Sequence, residues 1–201
     1  MNLINHVVCM KFVTCFYLLL LCSVSTYSYS ATKVEVGDAF SEPIIDFKNQ
    51  RAYISQNLLK GKLLILNLKN NAIEKRILVS SHPFKPLLSD KYNRLYVISK
   101  SKSVVEILDL NNLKIIDQIN LMYQPDGGSV ISTKLSRIYV PHDKHGVISI
   151  IDMKSNKVVN TINVGASIKG KLVLVDDESK LLISSHSTGS IYVVDLNLKH
   201  K

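Results

Sequence analysis

The chain has 201 residues, 46% hydrophobic and 20% charged, enough for one domain with a proper core. Its formal net charge is +9, carried by lysines spread along the chain with no arginine-rich block. That implies a general attraction to polyanions, acidic glycans or anionic lipid surfaces, and argues against a dedicated nucleic-acid groove. The three cysteines, Cys9, Cys15 and Cys22, all lie near the N-terminus, so the rest of the chain has no disulfide, thiolate nucleophile or cysteine metal ligand.

Lys11 precedes the apolar run Phe12-Val-Thr-Cys-Phe-Tyr-Leu-Leu-Leu-Leu-Cys-Ser-Val24, and small or hydroxylated residues follow up to Ala31. This pattern predicts a secretory signal peptide over residues 1–31, with Met10 as an alternative start. The run is shorter than the ~20 residues of a membrane span, so an uncleaved anchor is the rival reading. A lipidation site at Cys22 fits less well, because bulky Leu21 stands where a small residue is usual. Export with no cysteine beyond the leader points to a periplasmic or extracellular protein of a bacterial cell envelope. Without the leader, which holds Lys11 and no acid, the net charge is +8.

From residue 32 onward one pattern recurs. Arg51-Ala-Tyr-Ile54, Arg94-Leu-Tyr-Val97, Arg137-Ile-Tyr-Val140 and Lys180-Leu-Leu-Ile183 start 43, 43 and 43 residues apart. Apolar runs follow, closed by Asn67, Asp109, Asp152 and Asp195 at spacings of 42, 43 and 43. A third register joins Gly37, Ser80, Met122 and Gly165 at 43, 42 and 43. A fixed period of this size means one small unit built several times, each covering its neighbour's apolar face.

Each unit holds four short strand candidates. In the best-formed one, the turn Pro125-Asp-Gly-Gly128 leads into Ser129-Val-Ile-Ser132, and Arg137-Ile-Tyr-Val140 is rich in β-branched and aromatic residues. After the turn Asp143-Lys-His-Gly146 comes the most apolar strand, Val147-Ile-Ser-Ile-Ile151. Beyond Lys154-Ser-Asn-Lys157, the alternating run Val158-Val-Asn-Thr-Ile-Asn-Val164 reads as an exposed outer strand. No segment of helical length keeps a 3.6-residue period. The predicted fold is all-β, a propeller of four-stranded antiparallel blades.

The residues Arg137-Ile-Tyr-Val140, Val147 to Asp152 and Asn156 to Gly165 resemble the YVTN-type β-propeller repeat family, the YncE-like envelope propellers. That pattern is a Tyr-Val strand, a valine-rich strand ending in Ile-Asp, and a strand ending in Val-Gly. The resemblance covers residues 32–201, with departures: the Thr-Asn usual after Tyr-Val is Ser-Gln, Ile-Ser or Pro-His, and the fourth copy has Leu182 for tyrosine. In the family the Val-Gly strand is the outermost of its blade. Here Thr32-Lys-Val-Glu-Val-Gly37 has that form, and no such strand follows Asp195. The resemblance therefore implies about four blades, the N-terminal strand completing the last. Alternatives are a homodimer completing a larger ring, and a piece of a longer propeller.

In such blades one face is built from the loops 38–42, 81–85, 123–127 and 166–170, with 58–61, 101–103, 142–146 and 186–189. Loops vary on a rigid frame, so a ligand is expected there. Candidate ligand-binding residues are Lys85, Tyr123, His142, Lys144, His145 and His186. His82, His142, His145 and His186 are a metal-binding alternative on the same face. Asp176-Asp177-Glu178 is acidic enough for weak Ca²⁺ binding, but reads as a solvated hairpin on the opposite face. Asp109, Asp152 and Asp195 recur, which predicts a turn-capping hydrogen bond, since catalysis needs one constellation and not copies. Tyr53, Tyr96 and Tyr139 sit inside apolar strands and are expected in the core. No phosphate loop, nucleophile elbow or zinc signature is found, no catalytic residue is assigned, and no cofactor is expected.

The expected function is a secreted or cell-envelope binding or scaffold protein, non-enzymatic, whose partner is an unidentified protein or envelope ligand. Two other classes remain. One is a lactonase-like or redox-associated propeller enzyme; the other is weak binding of nucleic acid or another polyanion through the basic surface.

Overall fold

The computed structural model describes residues 31–168, 171–185 and 187–197. The predicted leader, apart from Ala31, and His186 lie outside them. Four antiparallel sheets follow one another along the chain. The first is β1 (Ile44–Asp46), β2 (Arg51–Gln56), β3 (Lys62–Asn67) and β4 (Ala72–Leu78). The second is β5 (Leu87–Ser89), β6 (Arg94–Ser99), β7 (Val104–Asp109) and β8 (Lys114–Asn120). The third is β9 (Val130–Ser132), β10 (Arg137–His142), β11 (Val147–Asp152) and β12 (Lys157–Asn163). The fourth is β13 (Leu172–Val175), β14 (Lys180–Ser185) and β15 (Ser190–Asp195). Neighbouring strands in each sheet are consecutive in sequence, as in a propeller blade. Among the described residues no helix is long and apolar enough to cross a membrane.

The period reappears as repeated backbone bonds. Leu68, Leu110, Met153 and Leu196 donate their N–H to the carbonyls of Gln50, Asn93, Ser136 and Ser179, at 2.9, 3.1, 3.1 and 2.8 Å. Each of these bonds ties the turn before the second strand to the residue after the third. Gln50, Asn93 and Ser136 share a left-handed backbone, with φ of 53°, 52° and 54°. The last two strands of the first three blades shift register at Ile65/Leu66, Ile107/Leu108 and Ile150/Ile151. Such a bulge increases local twist, which keeps the outermost strand turned toward solvent.

Burial follows the same order. In the first three blades the second and third strands are largely buried, whereas β4, β8 and β12 are largely exposed. In the first three blades the tyrosine of the second strand points toward the following blade. Tyr53, Leu63 and Ile65 pack with Leu95 and Val97 of the second blade. Tyr96, Val105 and Ile107 pack with Ile138 and Val140 of the third. Tyr139 and Ile148 pack with Leu181 and Ile183 of the fourth. Burying a tyrosine removes about 150–250 Å² from water, so these rings supply much of the cement between blades. They are wall residues, as expected: the three are at most 2% exposed.

One expectation is corrected. Residues 32–37 form no strand and do not complete the last blade. They are held at the first blade, where the Gln56 side-chain amide donates to the carbonyls of Val36 (2.9 Å) and Asp38 (3.3 Å). Gly37 turns there with φ of 88°, and a Cβ on it would stand 2.7 Å from the Gln56 amide nitrogen. Among the described residues β15 pairs only with β14, and no buried cluster joins the fourth blade to the first.

Candidate functional site at the mouth of the inner strands

The short innermost strands β1, β5, β9 and β13 lie side by side, and a cavity of about 360 Å³ opens where they begin. Glu42, Lys85, Gly128 and Lys171 line it, one from each blade. They are 43, 43 and 43 residues apart, so the period itself places them in a ring. Phe84, Leu87, Val130 and Leu172 supply apolar walls.

The ring is electrostatically uneven. Lys85 Nζ is 2.9 Å from Glu42 Oε2. This hydrogen bond first, and then the charges of Lys85 and Lys171, hold the Glu42 carboxyl below the usual range. Two cations flank one anion, and Gly128 leaves the fourth position without a side chain. Ser129 is also on the wall, but its Oγ is buried away from the opening, with no protein hydrogen-bond partner among the described residues.

Of the residues proposed from sequence, Lys85 is at this mouth. Tyr123, His142 and His145 form a second group beside it. Tyr123 stacks on His145 at 4.1 Å between ring centroids and meets His142 edge-on at 5.8 Å. His142 ends β10 and is buried, with Nε2 2.8 Å from Ser149 Oγ and Nδ1 3.2 Å from the Gln124 carbonyl. Burial pushes its pKa down, despite the raising influence of the Gln124 carbonyl. Both ring nitrogens are engaged within the protein, so His142 is a structural residue rather than a ligand contact. Lys144 and His145 are exposed on a 3₁₀ turn, Asp143–His145. The 123–128 segment connects the two groups: Asp126 accepts from the Asp143 N–H at 3.2 Å and pairs with Lys100 at 3.4 Å.

His82 stands apart, with Nδ1 2.7 Å from Ser101 Oγ. Among the described residues no three His, Cys, Asp or Glu side chains gather in a metal-binding cluster. His186 lies outside the described residues.

The acidic hairpin keeps Asp176 and Asp177 exposed, as expected of a solvated turn, but its third acid is engaged elsewhere. Glu178 reaches the third blade and accepts from Ser132 Oγ (2.8 Å), Thr133 Oγ1 (3.2 Å) and the Lys134 N–H (2.8 Å). Burial opposes its charge, but these bonds together outweigh burial and lower its pKa. Asp177 pairs with Lys134. Glu178 and Asp177 thus tie the fourth blade to the third, while Asp176 pairs with Lys180 of its own hairpin. The recurring Asp residues cap turns as expected: Asp109 Oδ1 accepts from Asn111 N–H at 2.9 Å, Asp152 Oδ1 from Ser155 N–H at 2.7 Å and Asp195 Oδ1 from Asn197 N–H at 2.8 Å.

Comparison with solved structures decides the fold. The chain superposes on hydrazine synthase from Kuenenia stuttgartiensis with a TM-score of 0.69 at 16% identity, covering 85% of this chain and 49% of that one. This chain has the β-propeller fold. BamB from Moraxella catarrhalis gives a TM-score of 0.55 at 19% identity, over 77% and 52% of the two chains. The dihydro-heme d1 dehydrogenase NirN gives 0.62 at 17%, over 77% and 34%. The propeller thus spans about half, or less, of each of these chains. No protein-family model and no curated protein matches the sequence.

Proposed function

We propose that this propeller is a non-enzymatic binding module of the cell envelope, taking a small ligand with an anionic group on an apolar body at the mouth of the inner strands. The ring of Glu42, Lys85, Gly128 and Lys171 carries this reading. Its two lysines recognise a carboxylate, Phe84 and Leu87 meet an apolar stem, and the Gly128 gap admits it. The leader pattern supports export, and the repeat pattern supports membership of the YVTN-type family.

Calorimetric titration with hexanoate and with hexylamine tests the reading. Hexanoate is expected to bind, and Lys85→Ala with Lys171→Ala to weaken it about tenfold or more, the size of a lost charge-assisted bond. Equal binding of hexylamine, or hexanoate binding untouched by the lysine changes, would refute it. A second reading, weak polyanion binding, is favoured by the net charge of +9. It requires steep salt dependence and no sensitivity to the mouth residues.

A further inference from the structure

The mouth does not end at its ring. A second cavity, of about 420 Å³, shares Lys85, Leu87, Ser129 and Val130 with it. The other walls of this cavity lie further along the same inner segments. The lining passes from Glu42 to Ile44 in the first blade and from Lys85 to Leu88 in the second. It passes from Gly128 to Ile131 in the third and from Leu172 to Leu174 in the fourth. Every blade advances in the same direction by two or three residues, about 7–10 Å at the rise of a strand. The two cavities are therefore one groove running down the inner strands.

The groove changes character along its length. Its open end holds Lys85 and Lys171. Below them Ile44, Leu88, Ile131 and Leu174 are part-buried, and all four blades give it an apolar wall. Its far wall holds Glu178, whose carboxylate accepts hydrogen bonds from Ser132, Thr133 and Lys134. An anionic head belongs with the lysines. A second anion at the other end would meet Glu178 at close quarters, where like charges repel strongly. The apolar middle suits a hydrocarbon chain, and the volumes of both cavities are in the range of small-molecule sites.

We propose that the ligand of this groove is a straight-chain monocarboxylate, its head between the lysines of the mouth and its chain running down the inner strands toward Leu174. The inference rests on the anion-binding reading of the mouth and adds the depth, direction and polarity of the chain. Each methylene buried against these walls is worth about fourfold in affinity.

Calorimetric titration of the protein with hexanoate, octanoate and decanoate tests the proposal. Affinity is expected to rise about tenfold or more at each step of two methylenes. Leu174→Phe, which fills the groove beneath the mouth, should cancel the gain of decanoate and leave hexanoate binding unchanged. Decanedioate should bind severalfold more weakly than decanoate, and Glu178→Gln should narrow that difference. If Leu174→Phe does not fold, the chain-length series and the decanedioate comparison decide the matter on the unaltered protein. Lysine-dependent hexanoate binding with no gain from a longer chain would overturn this proposal and leave the mouth reading standing. A decanoate gain indifferent to Leu174→Phe, or decanedioate bound as tightly as decanoate, would do the same. Decylamine bound as tightly as decanoate, or no binding of any of the acids, would overturn both.

Discussion

Tyr96, Val105 and Ile107 in the second blade hold the same register positions as Leu182, Ile191 and Val193 in the fourth. The first three are at 0% exposure, because the third blade lies on them. Ile191 and Val193 are more than half exposed. Strand pairing on both sides is otherwise alike: β6 with β7 and β14 with β15 each match six residues in unbroken antiparallel register. Local strand chemistry is therefore enough to form a blade. Whether its face is buried depends on what comes next to it, and that is a property of the assembly rather than of the repeat.

Truncation at matched positions is the strongest way to break this comparison. Ile107→Ala leaves a cavity between two blades and should cost about 2–5 kcal/mol in urea denaturation. Val193→Ala, at an equivalent but exposed position, should stay within about 0.5 kcal/mol, as exposed substitutions do. Similar losses at both sites would mean that the fourth blade is covered in solution.

A smaller effect sharpens the contrast from the other side of the fourth blade, where Glu178 fastens it to the third. Glu178→Gln should cost about 1 kcal/mol, since it weakens three hydrogen bonds without emptying the site. The folded pKa of Glu178 is lowered, so the carboxylate contribution is complete above the unfolded value of about 4.3. It is lost as pH falls through the lower folded value. Wild type and Glu178→Gln should converge in stability at acid pH and separate above pH ~4.3. A gap that persists unchanged into acid would show that Glu178 acts by shape alone.

The repeat, the strand order and the turn-capping Asp109 and Asp152 are legible in sequence because each is set by local chemistry at a fixed spacing. The mouth ring obeys the same 43-residue spacing, yet only Lys85 is evident without the structure. Glu42, Gly128 and Lys171 differ in type, and nothing but the fold reveals that unlike residues at one register share a cavity. Residues 32–37 show the opposite failure. Their Val-Gly ending matches an outer strand, but a segment's own residues do not decide whether it pairs, and the structure shows the Val36 carbonyl held by the Gln56 amide, 20 residues away in sequence. The contacts of Glu178 are hidden from the sequence as well: its partners Ser132 and Lys134 belong to another blade.

His142 gives the smallest effect, and it separates a structural histidine from a ligand-binding one. Its ring is buried between the Ser149 hydroxyl and the Gln124 carbonyl. One nitrogen donates to the carbonyl, which leaves the other to accept from Ser149 in the neutral tautomer. Protonation would convert that acceptor into a donor facing a hydroxyl in a site that disfavours charge. The folded pKa is accordingly below the usual 6.5. Above 6.5 both folded and unfolded chains hold a neutral ring, and the site contributes no pH dependence. As pH falls below 6.5 the unfolded chain takes up the proton first, so stability drops until the folded pKa is passed. His142→Gln, which keeps one donor and one acceptor, should remove that slope while changing stability at pH 8 by only about 1 kcal/mol. Exposed His145 shares the Tyr123 contact but not the burial, so His145→Gln should leave the slope in place. If the His145 change removes the slope instead, the titrating group is on the loop surface and His142 is not the buried proton acceptor that the hydrogen bonds describe.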